Sequence, residues 1–326
     1  MNPPFARWRE LFPAGALGRP SVTRLREAGH TVRALARSAA SAAALRSAAA
    51  EPVRASLFDR PALAAAVHGA DAILHLATRI APASSARRAG AWRANDRIRA
   101  DGTRNLVDAA LTEGAGVIVY PSFAPVYADG GARWLSVGDP VAPTAVLRST
   151  LLAEEEVARF VAAGGRGVVL RMAGVYGTYS AATRDVLALA RRGLSAFAGP
   201  SGAYQSLVWD EDAAAALVAA AVTPAAIGAY DVADDEPLTR ARLAEVLGAV
   251  VGRAVHRPPT WLARAALGSG MEFLLRSQRV SHLAFTEATG WLPQVRSAAD
   301  GLPRAGAALS PAGVPAPAPG PRGTGS

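Results

Sequence analysis

Short apolar runs alternate along the first half of the chain with longer segments whose apolar residues recur every three or four positions. The short runs have the length of β-strands, and the longer segments have the period of a helix with one buried face. This alternation predicts βαβ units, and therefore an α/β fold with a doubly wound parallel sheet. The predicted strands are residues 31–36, 72–77, 117–120, 167–171 and 229–232.

The pattern changes after residue 171, where glycine and proline become more frequent and strand signals lie farther apart. We expect residues 174–204 and 236–303 to form a smaller C-terminal substrate-binding region. Residues 304–326 are rich in proline, glycine and alanine and have too few large apolar side chains to build a core. This last segment is predicted to be disordered.

Composition narrows the chemistry. All 35 residues of the lysine-plus-arginine count are arginine, and the chain has a net charge of +9. The arginines alternate with carboxylates along the chain and do not form one basic stripe, which argues against nucleic-acid binding. The absence of cysteine excludes disulfides and thiolate chemistry, and five scattered histidines show no metal-ligand spacing, so no metal is expected. We find no signal-peptide pattern and no membrane-spanning run, so we expect no membrane partner and a cytoplasmic location.

A glycine-containing loop provides the strongest local signal. Gly15 and Gly18 precede a helix-like segment, a Gly29-His30 turn and the strand beginning at Thr31. Glycines at such a position allow the backbone to approach a pyrophosphate, whose charge the amides of the helix N-terminus can bind. The spacing therefore predicts a phosphate-binding loop.

The order of several motifs resembles the extended short-chain dehydrogenase/reductases, that is, the NAD-dependent epimerase/dehydratase family. The resemblance covers roughly residues 14–302 and implies a Rossmann-like fold in which residues 14–173 and about 205–235 form the dinucleotide-binding domain. It rests on Gly15 and Gly18 of a GxxGxxG loop, 74–77 (LHLA), Asn95 with 102–106 (GTRNL), 120–127 (YPSFAPVY), 170–177 (LRMAGVYG), 231–237 (DVADDEP) and 288–291 (ATGW).

The N-terminal end departs from the family pattern. The first glycine of the motif would fall at Phe12, Pro13 removes an amide from the turn, and the strand before it would be the polar residues 7–11. We therefore expect residues 1–13 to be irregular, either because the segment is mis-framed or because cofactor binding has been lost.

The resemblance also implies which residues contact a nucleotide. Arg37 stands where the family reads the adenosine ribose, so NADP is expected rather than NAD, although Arg37 could equally be a solvent-facing arginine, and no bound cofactor is the remaining alternative. Ser56 replaces the aspartate that faces adenine. The cofactor-binding residues expected from the resemblance are Gly15, Gly18, Arg37, Ser56, Leu76, Ala77, Asn95 and Ser122.

The family's acid–base pair, Tyr-x-x-x-Lys, is missing. Its tyrosine and lysine positions hold Val146 and Thr150, and the position of its usual serine or threonine holds Phe123, with Ser122 adjacent. Because a tyrosine needs a nearby cation to act as a base near neutrality, the usual route of hydride transfer is not expected here.

Three residues are candidate replacements for that pair. Ser122, Tyr127 and Tyr176 lie where ligands bind in open α/β sheets, and we assign them as catalytic candidates, with Arg171 and Tyr176 as substrate contacts. Each has a structural alternative: Ser122 as a strand-end cap, Arg171 as a bridge between loops, and the tyrosines as packed residues that bond the backbone.

Three functional hypotheses follow. The first is an NAD(P)-binding oxidoreductase, epimerase or dehydratase that acts on a small molecule through displaced catalytic groups. The second is a catalytically silent dinucleotide-binding regulator or partner subunit. The third is a cofactor-independent isomerase or cyclase that uses the same cleft. Members of the family often dimerise through an interface that includes the helix beginning here near Ser149. The resemblance therefore implies a homodimer.

Overall fold

The molecule is built from thirteen strands and twelve α-helices in the residues that the computed structural model describes, 7–10, 15–81 and 85–309. The strands are β1 Arg7–Glu10, β2 Thr31–Leu35, β3 Glu51–Val53, β4 Ala72–Leu74, β5 Val117–Phe123, β6 Trp134–Leu135, β7 Arg166–Met172, β8 Gly174–Tyr176, β9 Tyr204–Gln205, β10 Leu207–Trp209, β11 Gly228–Val232, β12 Leu238–Thr239 and β13 Arg279–Val280.

The helices follow the strands in the alternation that the sequence predicts. They are α1 Gly18–Glu27, α2 Ala39–Ser47, α3 Arg60–Val67, α4 Arg93–Arg97, α5 Thr103–Glu113, α6 Arg148–Ala162, α7 Ala181–Arg191, α8 Asp210–Val222, α9 Arg240–Val251, α10 Thr260–Leu267, α11 Leu283–Thr289 and α12 Ala298–Ala308. A π-helical turn, Ile98–Gly102, joins α4 to α5.

A seven-stranded parallel sheet lies at the centre, in the order β3-β2-β1-β4-β5-β7-β11. The order of strands along the chain reverses between β1 and β4, which is the point where open α/β sheets bind ligands. β5 and β7 pair over their whole length, from Val117 opposite Arg166 to Phe123 opposite Met172. The α/β fold and the doubly wound parallel sheet expected from the sequence are confirmed.

Alternating side chains of the strands build one core on each face of this sheet. In β5, Val117 and Val119 pack with Val22 and Leu217 in the core beneath α1, α2 and α8. Ile118 and Tyr120 face the other way and pack in the core beneath α3, α5 and α6. Because both faces of the sheet are covered, a central strand such as β5 reads as a continuous apolar run.

β1 lies in the middle of the sheet although its sequence is polar. Its backbone pairs with β2 on one side and with β4 on the other, so that Arg9 stands opposite both Arg33 and Ile73. We expected an irregular segment over residues 1–13, whereas residues 7–10 form this strand, because a strand ladder is made by main-chain groups whatever the side chains are. Phe12 and Pro13 lie outside the described residues.

A third core joins the C-terminal elements to the end of the sheet. Leu187 of α7, Leu247 of α9 and Leu302 of α12 pack there with Trp209. α12 continues through Ala308, and Ala305 is fully buried in this core. The ordered region therefore extends past residue 304, where we expected the disordered tail to begin, because the buried face of α12 holds its last turns. Residues 310–326 are outside the described part of the chain.

Two further observations concern the same described ranges. None of their helices is long and apolar enough to cross a membrane. Within them, no group of three or more histidine, aspartate and glutamate side chains is arranged to hold a metal ion.

Candidate active site

α1 follows β1, the strand at which the order of the sheet reverses, and residues 15–17 are described directly before it. Gly18 begins α1, its cap residue Leu17 makes no side-chain hydrogen bond to the first turn, and that turn holds no acidic residue. A Cβ placed on Gly15 would meet no atom of the described residues within 4 Å. An uncapped helix N-terminus is a suitable place for a pyrophosphate, and Gly15 and Gly18 stay predictions as phosphate contacts.

The other predicted nucleotide contacts lie along the same edge of the sheet, where all strands have their carboxyl ends. Arg37 is exposed just after β2, and Leu76 and Ala77 are buried just after β4. Ser56 is partly buried, and its hydroxyl accepts a hydrogen bond from the Phe58 amide at 3.2 Å. These positions stay predictions as cofactor contacts.

Asn95 joins α4 to the segment that follows β4. Its Oδ1 accepts hydrogen bonds from the Thr78 hydroxyl and the Arg79 amide, both at 2.9 Å, and the side chain is fully buried. Its Nδ2 has no hydrogen-bond partner in the described part of the chain. Asn95 therefore holds the edge of the cleft in place, and its Nδ2 amino group is left unbonded among the described residues.

Ser122 belongs to a buried ionic network. Its hydroxyl donates to Glu154 of α6, and Glu154 also pairs with Arg171 through two hydrogen bonds, of 2.8 and 3.1 Å. Burial acts to lower the pKa of Arg171, but the Glu154 carboxylate outweighs it and the pKa is raised. The network ties β5 and β7 to α6. It favours a structural role for Ser122 and Arg171, and their predicted catalytic and substrate roles stay predictions.

Tyr127 is fully buried and donates its hydroxyl to both oxygens of Asp231, at 2.8 and 3.0 Å. Burial, with the nearby Asp231, raises the pKa of Tyr127 far above its usual value, and burial raises the pKa of Asp231 to about 7. A phenol that holds its proton so firmly is a poor base near neutrality. These contacts support a structural role.

Tyr176 lies apart from that network. Its hydroxyl donates to the Ser297 carbonyl at 3.3 Å, and its ring packs edge to face on Trp209 with centroids 5.4 Å apart. Burial is the first cause of a strongly raised pKa. The structure therefore brings Ser122, Arg171 and Tyr127 together but places Tyr176 in the C-terminal core, and its catalytic role stays a prediction.

An apolar cluster occupies the place of the missing acid–base residues. Phe123 and Val146 pack in it with residues from the segment Ser269–Leu275, and the rings of Phe123 and Phe273 meet edge to face with centroids 6.0 Å apart. Thr150 is fully buried one turn into α6, and its hydroxyl has no partner among the described residues. The cluster consists of Ala81, Ala86, Ala91, Trp92, Phe123, Val126, Val146, Leu147, Leu151, Met271 and Phe273.

The sequence reasoning missed two parts of this site. Phe273 and Met271 come from a segment with no motif, and only the tertiary structure brings them to Val146. Glu154 lies in the helix that carries Thr150, but nothing in the local sequence names Ser122 and Arg171 as its partners. A signal for Ser122 was present, since Ile118, Tyr120 and Ser122 alternate along β5 and share the face that α6 covers.

Comparison with known proteins adds two results at the level of sequence. The model of the NAD dependent epimerase/dehydratase family matches residues 13–233. A Streptomyces protein named 3-diazoavenalumate denitrifying reductase is 33% identical over 310 residues, which span 89% of this chain and 97% of that protein.

Solved structures show the same fold. The UDP-glucose 4-epimerase of Thermotoga maritima, solved with UDP-glucose, superposes with a TM-score of 0.76 at 18% identity, covering 93% of this chain and 98% of that one. The dTDP-glucose 4,6-dehydratase of Streptomyces venezuelae, solved with NAD, also gives 0.76, at 21% identity, covering 93% and 96% of the two chains.

Proposed function

Because the chain belongs to the NAD-dependent epimerase/dehydratase family, we propose that it is a reductase that replaces the diazo group of an aromatic compound with hydrogen and releases dinitrogen. The observation that carries the proposal is the apolar cluster, in which Val146 stands at the family's tyrosine position and Phe123 at its serine or threonine position, both packed with Phe273. The name of the Streptomyces relative, 3-diazoavenalumate denitrifying reductase, supports the same reaction class.

The proposed reaction needs no acid–base pair. Reduction of a carbonyl consumes a hydride and a proton, and the proton must come from a donor such as a tyrosine. Replacement of a diazonium group consumes only the hydride: its electron pair forms the new C–H bond, the C–N bond breaks, and the C–N pair leaves with N₂. The positive charge of the diazonium is cancelled by the hydride, so no proton is taken up. Val146 and Thr150, which cannot act as an acid–base pair, are compatible with a reaction that takes up no proton.

The chain's own residues have a different task in such a reaction. Phe123, Phe273 and Trp92 offer aromatic surfaces, and aromatic faces attract a cation such as a diazonium. The cluster also excludes water, which would otherwise capture the activated carbon and give a hydroxylated product. The site therefore contributes by binding the diazonium, orienting it and excluding water from it.

The uncapped N-terminus of α1 at Gly18, and Gly15 with no described atom within 4 Å of its Cβ position, support binding of the pyrophosphate of a nicotinamide dinucleotide. When bound, this cofactor supplies the hydride. Leu76, Ala77 and Asn95 would line the same edge of the sheet. We propose NADPH as the preferred form, because Arg37 is exposed at the end of β2 and can meet a 2′-phosphate.

The test uses benzenediazonium as probe with NADPH carrying deuterium at C4, in separate samples for each face of the ring. In both samples we expect benzene and ¹⁵N-labelled N₂ in equal amounts, formed faster than with heat-inactivated protein, and we expect the benzene to carry deuterium only in the sample labelled on the transferred face. A rate equal to that control overturns the proposal. If NADPH nevertheless binds by calorimetry, the result favours the catalytically silent dinucleotide-binding protein.

The cofactor preference has its own test. Calorimetric titration is expected to give tighter binding of NADPH than of NADH, and Arg37→Ala is expected to weaken NADPH binding by roughly 10-fold while leaving NADH binding unchanged. Equal affinities in the unchanged protein contradict the preference for NADPH without touching the proposed reaction.

A further inference from the structure

Arg276 is a cation at the border of the apolar cluster. It follows Phe273 by three residues and is partly buried, and its guanidinium donates to the Tyr127 carbonyl at 2.9 Å. Tyr127 directly follows Val126, a member of the cluster. No carboxylate of the described residues lies within ion-pair distance of Arg276. Burial lowers the pKa of its guanidinium, and the more distant carboxylates of Glu272 and Asp129 oppose that shift without cancelling it. Its charge is therefore only partly compensated.

The segment that carries Arg276 is held rigidly. Arg240 is fully buried, and its guanidinium donates to the carbonyls of Leu274, Leu275 and Arg276 at 2.6–2.9 Å. At the other end of the segment, the Thr144 hydroxyl donates to the Gly270 carbonyl at 2.8 Å. A charged group on such a fixed support needs little reorganisation to meet a ligand.

The neighbouring arginines are engaged elsewhere. Arg171, which we expected to contact an anionic substrate, is neutralised by two hydrogen bonds to Glu154. Arg279 is stacked between the rings of Trp134 and Tyr204, with its guanidinium carbon 4.1 and 5.0 Å from their centroids. Arg276 differs from both of these arginines. It lies beside the apolar cluster, its guanidinium donates to a carbonyl, and it forms no ion pair among the described residues.

We propose that Arg276 binds a carboxylate on the substrate, so that the protein selects aromatic diazo compounds that also carry an acid group. This inference rests on the proposed function and defines its substrate class. The aromatic ring would lie against Phe123 and Phe273, with the carboxylate on the guanidinium of Arg276. A charge-assisted hydrogen bond of this kind is stronger than one between neutral groups and orients a planar acid.

The kinetic test compares 4-carboxybenzenediazonium with its methyl ester. The unchanged protein is expected to prefer the carboxylate by about 10-fold or more in kcat/KM, and Arg276→Gln is expected to remove that preference, so that the acid and the ester react with similar kcat/KM. Arg276→Lys, which keeps the charge, should restore part of it. The matched control is Arg148→Gln, an exposed arginine two residues from Val146.

Folding does not obscure this comparison, because the Tyr127 carbonyl also accepts a hydrogen bond from Gln278 at 2.9 Å and stays satisfied in Arg276→Gln. The inference is overturned if Arg276→Gln keeps the preference for the carboxylate, or if Arg148→Gln loses it.

A binding measurement separates this inference from the proposed reaction. Calorimetry with 4-methylbenzoate and 4-methylbenzamide, both unreactive, is expected to show tighter binding of the acid to the unchanged protein and equal binding of the two to Arg276→Gln. If neither diazonium turns over but the acid still binds through Arg276, the reaction is wrong and the carboxylate site stands. If the acid binds no better than the amide, the carboxylate site is wrong.

Discussion

The rings of Phe123 and Phe273 pack edge to face, with centroids 6.0 Å apart and planes inclined by 83°. Phe123 ends a central strand of the sheet, and Phe273 lies 150 residues later in the segment that covers it. Their contact fills the apolar space beside Val146, at the edge of the sheet where β5 ends. The predictions below test that contact, the ionic network beside it and the cofactor loop.

Phe273→Ala should open this space. We expect the free energy of unfolding to fall by about 3 kcal/mol, since a buried phenyl ring is lost, and the KM for benzenediazonium to rise. Urea unfolding and steady-state kinetics measure the two effects. Phe285→Ala removes an equally buried ring from the core beneath α8 and serves as control. It should lose stability but leave KM unchanged, and an equal rise in KM for both variants argues against a substrate contact at Phe273.

Removing one partner of the Glu154–Arg171 pair should lower the stability of the fold. Both side chains are mostly buried, so either Glu154→Gln or Arg171→Gln leaves one charge without its partner and should lower the free energy of unfolding by about 3 kcal/mol. The double variant should recover part of that loss. Arg159→Gln, in an exposed ion pair with Asp108, is expected to cost about 0.5 kcal/mol. Additive single and double effects would show that the pair is not coupled.

Stability should depend on the protonation of Asp231. Burial raises its pKa from 3.8 to about 7, so the folded state holds a proton that the unfolded state releases between about pH 4 and pH 7. The contribution of Asp231 is thus fully present below pH 4 and is lost as the pH rises to about 7, with a slope of at most about 1.4 kcal/mol per pH unit. The free energy of unfolding of Asp231→Asn, measured by urea across this range, should change less steeply than that of the unchanged protein. Parallel curves would contradict the shift.

Tyr127→Phe should separate a structural role from a catalytic one. If Tyr127 only holds Asp231, the variant should lose about 1–2 kcal/mol of stability and keep kcat within about threefold. A proton donor in the reaction should instead lose at least about 100-fold in kcat with little change in stability. Kinetics and urea unfolding of the same sample decide between them, and Tyr176→Phe, which lies in the C-terminal core, should behave like the structural case.

Gly15→Val should abolish tight nucleotide binding without unfolding the chain. A Cβ at Gly15 meets no atom of the described residues within 4 Å, so we expect the side chain to be tolerated but to fill the space that a pyrophosphate needs. We expect at least about a 10-fold weaker affinity for NADPH and an unchanged Tm. Gly202→Val, at another exposed glycine with open space, is the matched control. Unchanged NADPH binding in Gly15→Val would place the phosphate elsewhere.

Much of the fold could be predicted because it is encoded locally. The five predicted strands agree with β2, β4, β5, β7 and β11 to within a few residues, since buried parallel strands are short apolar runs between helical periods. β1 could not be predicted with confidence from polar residues 7–10, because its place in the sheet is made by main-chain pairing with strands on both sides.

The sequence by itself determined that the chain has no lysine, that the acid–base positions hold Val146 and Thr150, and that a glycine loop precedes α1. These are local facts that a motif can carry. Only the tertiary structure decided what fills the vacant positions and which charges are neutralised. Phe273 packs on Phe123, and Glu154 accepts hydrogen bonds from Ser122 and Arg171. Asp231 accepts a hydrogen bond from Tyr127, and the partners in these contacts lie 17 to 150 residues apart in the chain. Contacts of that range depend on how helices and strands pack, and no spacing in the chain records them.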